Sequence, residues 1–146
     1  MLFIRPCLVL LLLMYAHVPA MAQQSEMFGP YELHYSVVNT TFLSPAVAAT
    51  YGIVRGEQRA IVNLAVREHL AEGSEARSMQ LQGRTWDLIQ NQTLEFQEIR
   101  EGQAVYYIAD FKFINEEWRF FEVDFRPEGA EETYTFKLKH QLYKDE

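Results

Sequence analysis

The sequence predicts an all-β protein: an antiparallel β-sandwich of the immunoglobulin-like kind, with about seven strands and one short helix after the first strand. Three observations carry this. Beyond residue 30 apolar and polar residues alternate along most of the chain, the period of a strand with one buried face. Aromatic residues make up 14% of the chain, and Tyr, Phe and Val, which suit a pleated surface, dominate the apolar runs. Turn residues interrupt these runs at short intervals, with no repeat, low-complexity tract or Gly/Ser linker between them. A closed barrel is the main alternative, because face parity fixes local pairing but not how a sheet closes.

The first 22 residues stand apart. Arg5 supplies a positive start, Leu8 to Met14 is unbroken apolar chain, and Ala20-Met21-Ala22 is a small-x-small cleavage site, the order of a secretory signal peptide. The run ends at His17 and Pro19, short of the roughly 20 apolar residues that a permanent bilayer anchor needs. The expectation is export, with cleavage after Ala22 and a single domain over residues 23–146. Cys7 is the only cysteine and lies before the apolar run, so the exported chain would have no thiol for a disulfide, metal or nucleophile. Cleavage removes one of the 13 Lys+Arg and none of the 20 Asp+Glu, moving the net charge from −7 to −8. That balance argues against nucleic acid or an anionic membrane as partner, since both need cations to neutralise phosphates.

The strands follow in order. Tyr31, Leu33, Tyr35 and Val37 share one face of the first, and Asn39-Thr40-Thr41 ends it. Ser44 and Pro45 form an N-cap and N1 pair, Ala46 to Tyr51 makes about two helical turns, and Gly52 fits the left-handed stop. Ala60 to Arg67 is more uniformly apolar, as for a strand covered on both faces, and Glu68 to Glu75 is a polar loop. Met79 and Leu81 then share a parity that Trp86 and Leu88 do not, which places a bulge at Gly83. Leu94 and Phe96 continue the even phase after a Gln90-Asn91-Gln92 loop. A two-residue Glu101-Gly102 turn sets Phe96 opposite Tyr107 on a strand whose apolar face is Val105, Tyr107, Ala109, Phe111 and Phe113. Asn115-Glu116-Glu117 sets Phe111 opposite Phe121, beside Val123 and Phe125. The last strand carries Tyr134, Phe136, Leu138, His140 and Leu142 on one face.

The motifs of common chemistry are absent: no nucleophile elbow, zinc helix, phosphate loop or calcium loop occurs. His34, His69 and His140 have no close sequence spacing, so a metal site would require distant segments to converge, and neither a metal nor a cofactor is expected. Glu116, Glu117, Glu131 and Glu132 read as solvated turn charges rather than an acid–base pair. Two features point to binding. Tyr106, Ile108, Trp118 and Phe120 lie on the polar parity of successive strands, where they would form one aromatic patch suited to a protein partner. The segment Asn39 to Arg59 carries Arg55 and Arg59 near the helix, which with His34 would hold an acidic small ligand.

The stretches Phe28-Gly29-Pro30-Tyr31-Glu32-Leu33-His34-Tyr35, Asn39-Thr40-Thr41-Phe42-Leu43-Ser44-Pro45, Val47-Ala48, Tyr51-Gly52-Ile53-Val54-Arg55, Leu94-Glu95-Phe96 and Tyr106-Tyr107-Ile108-Ala109 span the chain beyond the leader. Together they resemble a family of small exported proteins of Gram-negative bacteria known only as a domain of unknown function. The resemblance implies a periplasmic location and supplies no catalytic residue. The functional expectation is a non-catalytic accessory module that contacts an envelope protein, with small-ligand binding, or after it hydrolysis, through the Asn39 to Arg59 segment as the alternative.

Overall fold

The computed structural model describes residues 24–145. The expected leader, Met1 to Ala22, lies outside them. The strands are β1 (Gln24–Phe28), β2 (Tyr31–Asn39), β3 (Arg59–His69), β4 (Ser74–Arg77), β5 (Met79–Trp86), β6 (Asn91–Leu94), β7 (Gln97–Glu101), β8 (Ala104–Lys112), β9 (Trp118–Pro127) and β10 (Tyr134–Gln141). One sheet runs β1-β2-β3-β8-β7, with β4 also on β3, and the other runs β10-β9-β5-β6. All pairings are antiparallel. The two sheets form the sandwich that the alternation predicts. Leu33, Val62, Leu64, Val66 and Phe111 face Phe121, Val123, Phe125 and Phe136, all buried, and the Phe111 and Phe121 rings meet edge-to-face at 5.2 Å.

Among the described residues ten strands replace the expected seven or so. β1 and β4 are short, β1 mostly exposed and β4 half-buried, and both are held by backbone pairing with β2 and β3, so they leave no apolar period to read. Because β1 comes first, the helix follows the second strand. The loop expected over Glu68 to Glu75 shrinks to a few residues, since β3 runs on to His69. The third addition arises where the chain passes from one sheet to the other at Glu95-Phe96, dividing one expected strand into β6 and β7. The helix α1 (Pro45–Thr50) is as read: the Ser44 hydroxyl accepts from the Val47 N–H, and Gly52 has φ +66°.

The bulge at Gly83 does not exist. β5 pairs β9 without interruption from Met79↔Pro127 to Trp86↔Phe120. Met79, Gly83 and Thr85 therefore share the inner face, while Trp86 turns outward. Gly83 is needed for packing, because a Cβ there would lie 2.8 Å from Val123 Cγ2. The β5–β6 loop has four residues, Asp87 to Gln90, instead of an odd number. The β7–β8 turn is Gly102-Gln103, one residue later than expected, so Glu98 and not Phe96 opposes Tyr107. β8 and β9 form no hairpin, and Phe111 meets Phe121 across the core instead of along a sheet.

Candidate functional site

The most unusual packing lies at one end of the β10-β9-β5-β6 sheet. Arg119 sits on the parity of Phe121, Val123 and Phe125, so it points into the core, where its side chain is 1% exposed. Its Nε donates to Thr85 Oγ1 at 2.9 Å and its Nη1 to Asp87 Oδ2 at 3.0 Å, and its guanidinium lies 5.5 Å from the Phe111 ring centroid. Thr85 in turn donates to the Phe120 carbonyl. The other Asp87 oxygen accepts the N–H groups of Ile89 and Gln90 at 2.8 and 2.6 Å, which fixes the β5–β6 loop.

Glu117 completes the cluster, and one of its carboxylate oxygens, like Arg119 Nη2, is buried without a hydrogen-bond partner. The charges here oppose one another. Burial and then Asp87 push the Glu117 carboxyl up, with Arg119 pulling it back. Burial alone would raise Asp87, but the Gln90 and Ile89 N–H groups, Glu117 and Arg119 together hold it below the usual carboxylate range. Glu117 is thus no simple turn charge. A carboxyl pair with values driven apart has the form of an acid–base pair, yet the Asp87 side chain is only 2% exposed and faces the interior.

Over this anchor the surface is apolar. Leu88 and Ile89 at the loop tip are 98% and 74% exposed, and Trp118 beside them is 49% exposed. Trp86 and Phe120 stack at 5.7 Å, with Arg84 over the Trp86 ring at 4.4 Å and Lys139 over Trp118 at 4.7 Å.

The expected single patch is divided. β8 and β9 belong to different sheets, so Tyr106 and Ile108 lie on one outer face and Trp118 and Phe120 on the opposite one. Ile108 is buried, and with Tyr106 it lines a groove of about 210 Å³ shared with Leu43, Val47 and Ile99. The expected ligand-binding residues are also dispersed. Arg55 donates to the Thr41 carbonyl at 3.0 Å, and Arg59 pairs with Asp110 at 3.6 Å. His34 pairs with Ala65 on β3, about 20 Å from Arg59 at roughly 3.3 Å per residue. What His34 does approach is Glu32, at 3.6 Å, and the other Glu32 oxygen bonds His69 at 2.6 Å. Two distant histidines therefore converge on one carboxylate. Even so, among the described residues no group of three or more His, Cys, Asp or Glu is placed to hold a metal ion. The sizeable cleft lies elsewhere, between the sheets: about 460 Å³ bounded by Met79, Tyr107, Glu98, Arg100 and Arg126.

Sequence reading missed Asp87, Leu88, Ile89 and Arg119 as a unit. The available signal was Arg119 on the parity of three buried residues, a charge where only a partnered one is tolerated.

The architecture and this end-loop surface define a two-sheet β-sandwich domain with a buried ionic anchor. The chain belongs to the DUF4426 family, a domain of unknown function whose model matches residues 25–145. Its structure is similar to that of a DUF4426 family protein, PA0388 of Pseudomonas aeruginosa PAO1, with 30% identity, a TM-score of 0.72, and coverage of 84% of this chain and 96% of that one. It shares its fold with FetP of uropathogenic Escherichia coli strain F11, expressed recombinantly in the periplasm, at 8% identity and a TM-score of 0.62, covering 84% of this chain and 95% of that one. A copper-bound variant of FetP aligns with a TM-score of 0.60, again at 8% identity and over 84% of this chain and 96% of that one. No curated protein matches the sequence. Among the described residues no helix is long and apolar enough to cross a membrane.

Proposed function

We propose that this is an exported, periplasmic, non-catalytic module that binds an envelope protein through Trp118, Phe120 and the Leu88-Ile89 loop. The carrying observation is that two aliphatic side chains are held out in water by a buried ionic anchor. A slack loop would fold Leu88 and Ile89 back onto the sheet, but the Asp87 bonds to the Ile89 and Gln90 N–H groups prevent this. Burying such a pair brings little or no net stability, so rigid presentation of an apolar surface is the better explanation. Trp and Arg beside exposed aliphatics have the composition of protein interface centres. Export rests on the leader pattern and on the family resemblance.

The test is site-specific photocrosslinking in intact cells from position 88, with position 131 as an exposed control. The expected result is one discrete adduct from position 88 that disappears in Trp118→Ala while the melting temperature is unchanged. Equal labelling from both positions would refute the reading.

A second reading, small-ligand binding, is favoured by the inter-sheet cleft with Arg126 at its edge. A panel of small carboxylates should then raise the melting temperature of the parent protein and not of Arg126→Ala.

A further inference from the structure

The β7 edge carries a second message. β7 is the last strand of its sheet, and four of its five residues, Gln97-Glu98-Ile99-Arg100-Glu101, are exposed. Its hairpin with β8 closes through a two-residue turn, with Glu101 paired to Ala104 and Gly102 at φ +59°. In such a turn the flanking pair exchanges both backbone hydrogen bonds. Alternation then directs the N–H and C=O groups of Glu101, Ile99 and Gln97 toward β8 and those of Glu98 and Arg100 toward the open edge.

That edge is complementary to itself. Within one chain Arg100 lies 3.3 Å from Glu98, which also accepts from the Tyr107 hydroxyl at 2.7 Å; in an antiparallel pairing of two β7 strands about Ile99, Glu98 in addition lies opposite Arg100 of the second copy and Arg100 opposite its Glu98. These are the residues whose backbone groups point outward, so backbone and charge pairing agree on one register. Ile99 falls on the axis as the close, non-hydrogen-bonded pair, where facing side chains approach most nearly. Behind Ile99 on the outer face, Leu43, Val47, Tyr51, Ile61 and Ile108 line the groove of about 210 Å³. The same pairing joins the two grooves into one apolar strip across the axis. The far edge of the same sheet is β1, with the sequence Gln24-Ser25-Glu26-Met27-Phe28 and no Arg to pair with its one Glu, whereas in the other sheet the β10 edge carries Lys137 and Lys139, the kind of charge that keeps an edge from pairing.

We propose that the protein forms a two-fold homodimer through β7, with the two sheets continuous across Ile99. This is separate from the surface around Leu88 and does not depend on it.

The test uses protein purified after expression with its own leader, measured by sedimentation equilibrium over a range of concentrations. The parent should show twice the chain mass. Arg100→Glu and Glu98→Arg each place like charges opposite one another twice and should return the single mass with an unchanged circular dichroism spectrum. The double swap Glu98→Arg/Arg100→Glu recreates the complementary pairs and should restore the doubled mass. A parent that stays at single mass overturns the proposal, as do single variants that remain dimeric. A double swap that stays monomeric overturns the register and the proposal with it.

Discussion

Removing Asp87 should expose what the buried cluster does. Asp87→Ala takes the hydrogen-bonded carboxylate from an Arg119 that is 1% exposed, leaving the guanidinium only the nearby Glu117 as counter-charge, and strips two N–H groups of their acceptor. Breaking a buried pair from one side costs about 3–5 kcal/mol, and we take about 4. At about 4 °C per kcal/mol for a domain of this size, the melting temperature should fall by about 15 °C. Arg119→Met leaves Asp87 its two backbone donors and should cost less, about 2–3 kcal/mol. The double variant has neither charge, and Met fills much of the vacated volume beside Phe111, so its loss should be at least about 2 kcal/mol smaller than the sum of the singles. Chemical and thermal melts of all four proteins at neutral pH measure this cycle. Additive single effects, or an Asp87→Ala cost under about 1 kcal/mol, would show that the cluster is not a coupled anchor.

Three further outcomes follow from the packing. Gly83→Ala should destabilise by about 1–3 kcal/mol by driving a methyl group into Val123, and adding Val123→Ala should recover part of the methyl clash in equilibrium unfolding. Glu117 has a raised value in the fold, so its contribution is stabilising below its ordinary 4.5 and is lost as pH rises through the folded value; Glu117→Gln, which mimics the protonated form, should be more stable than the parent at neutral pH in thermal melts. Burial lowers His140, so its contribution is complete above its ordinary 6.5 and is lost as pH falls through the folded value; His140→Leu should flatten the stability–pH curve just below 6.5.

Strand parity proved readable wherever one face is continuously apolar. Val105 to Phe113 and Phe121 to Phe125 bury the odd residues that alternation marks. Where a small or polar residue stands on the inner face, the same rule misleads. Gly83 and Thr85 hide the true phase of β5, so alternation turns Trp86 and Leu88 inward where the structure turns them out. Leu88, nearly fully exposed, is the residue on which the proposed interface turns.

By itself, the sequence determined the antiparallel all-β class, the helix between Ser44 and Gly52, and most of the apolar core residues, because these rest on local propensity and period-2 burial. It also carried the family, through the residues from Phe28 to Ala109. Only the tertiary structure decided which strands share a sheet. That choice separated Tyr106 from Trp118, joined Phe111 to Phe121 across the core, brought His34 and His69 to Glu32, and left β7 at an edge. The physical reason is that parity constrains a strand against its own neighbours, whereas sheet assignment depends on long-range closure of the core, to which residues far apart in sequence contribute together. The Asp87–Arg119 anchor belongs to the second kind: a buried charge is tolerated only beside its partner, and that partner is 32 positions away.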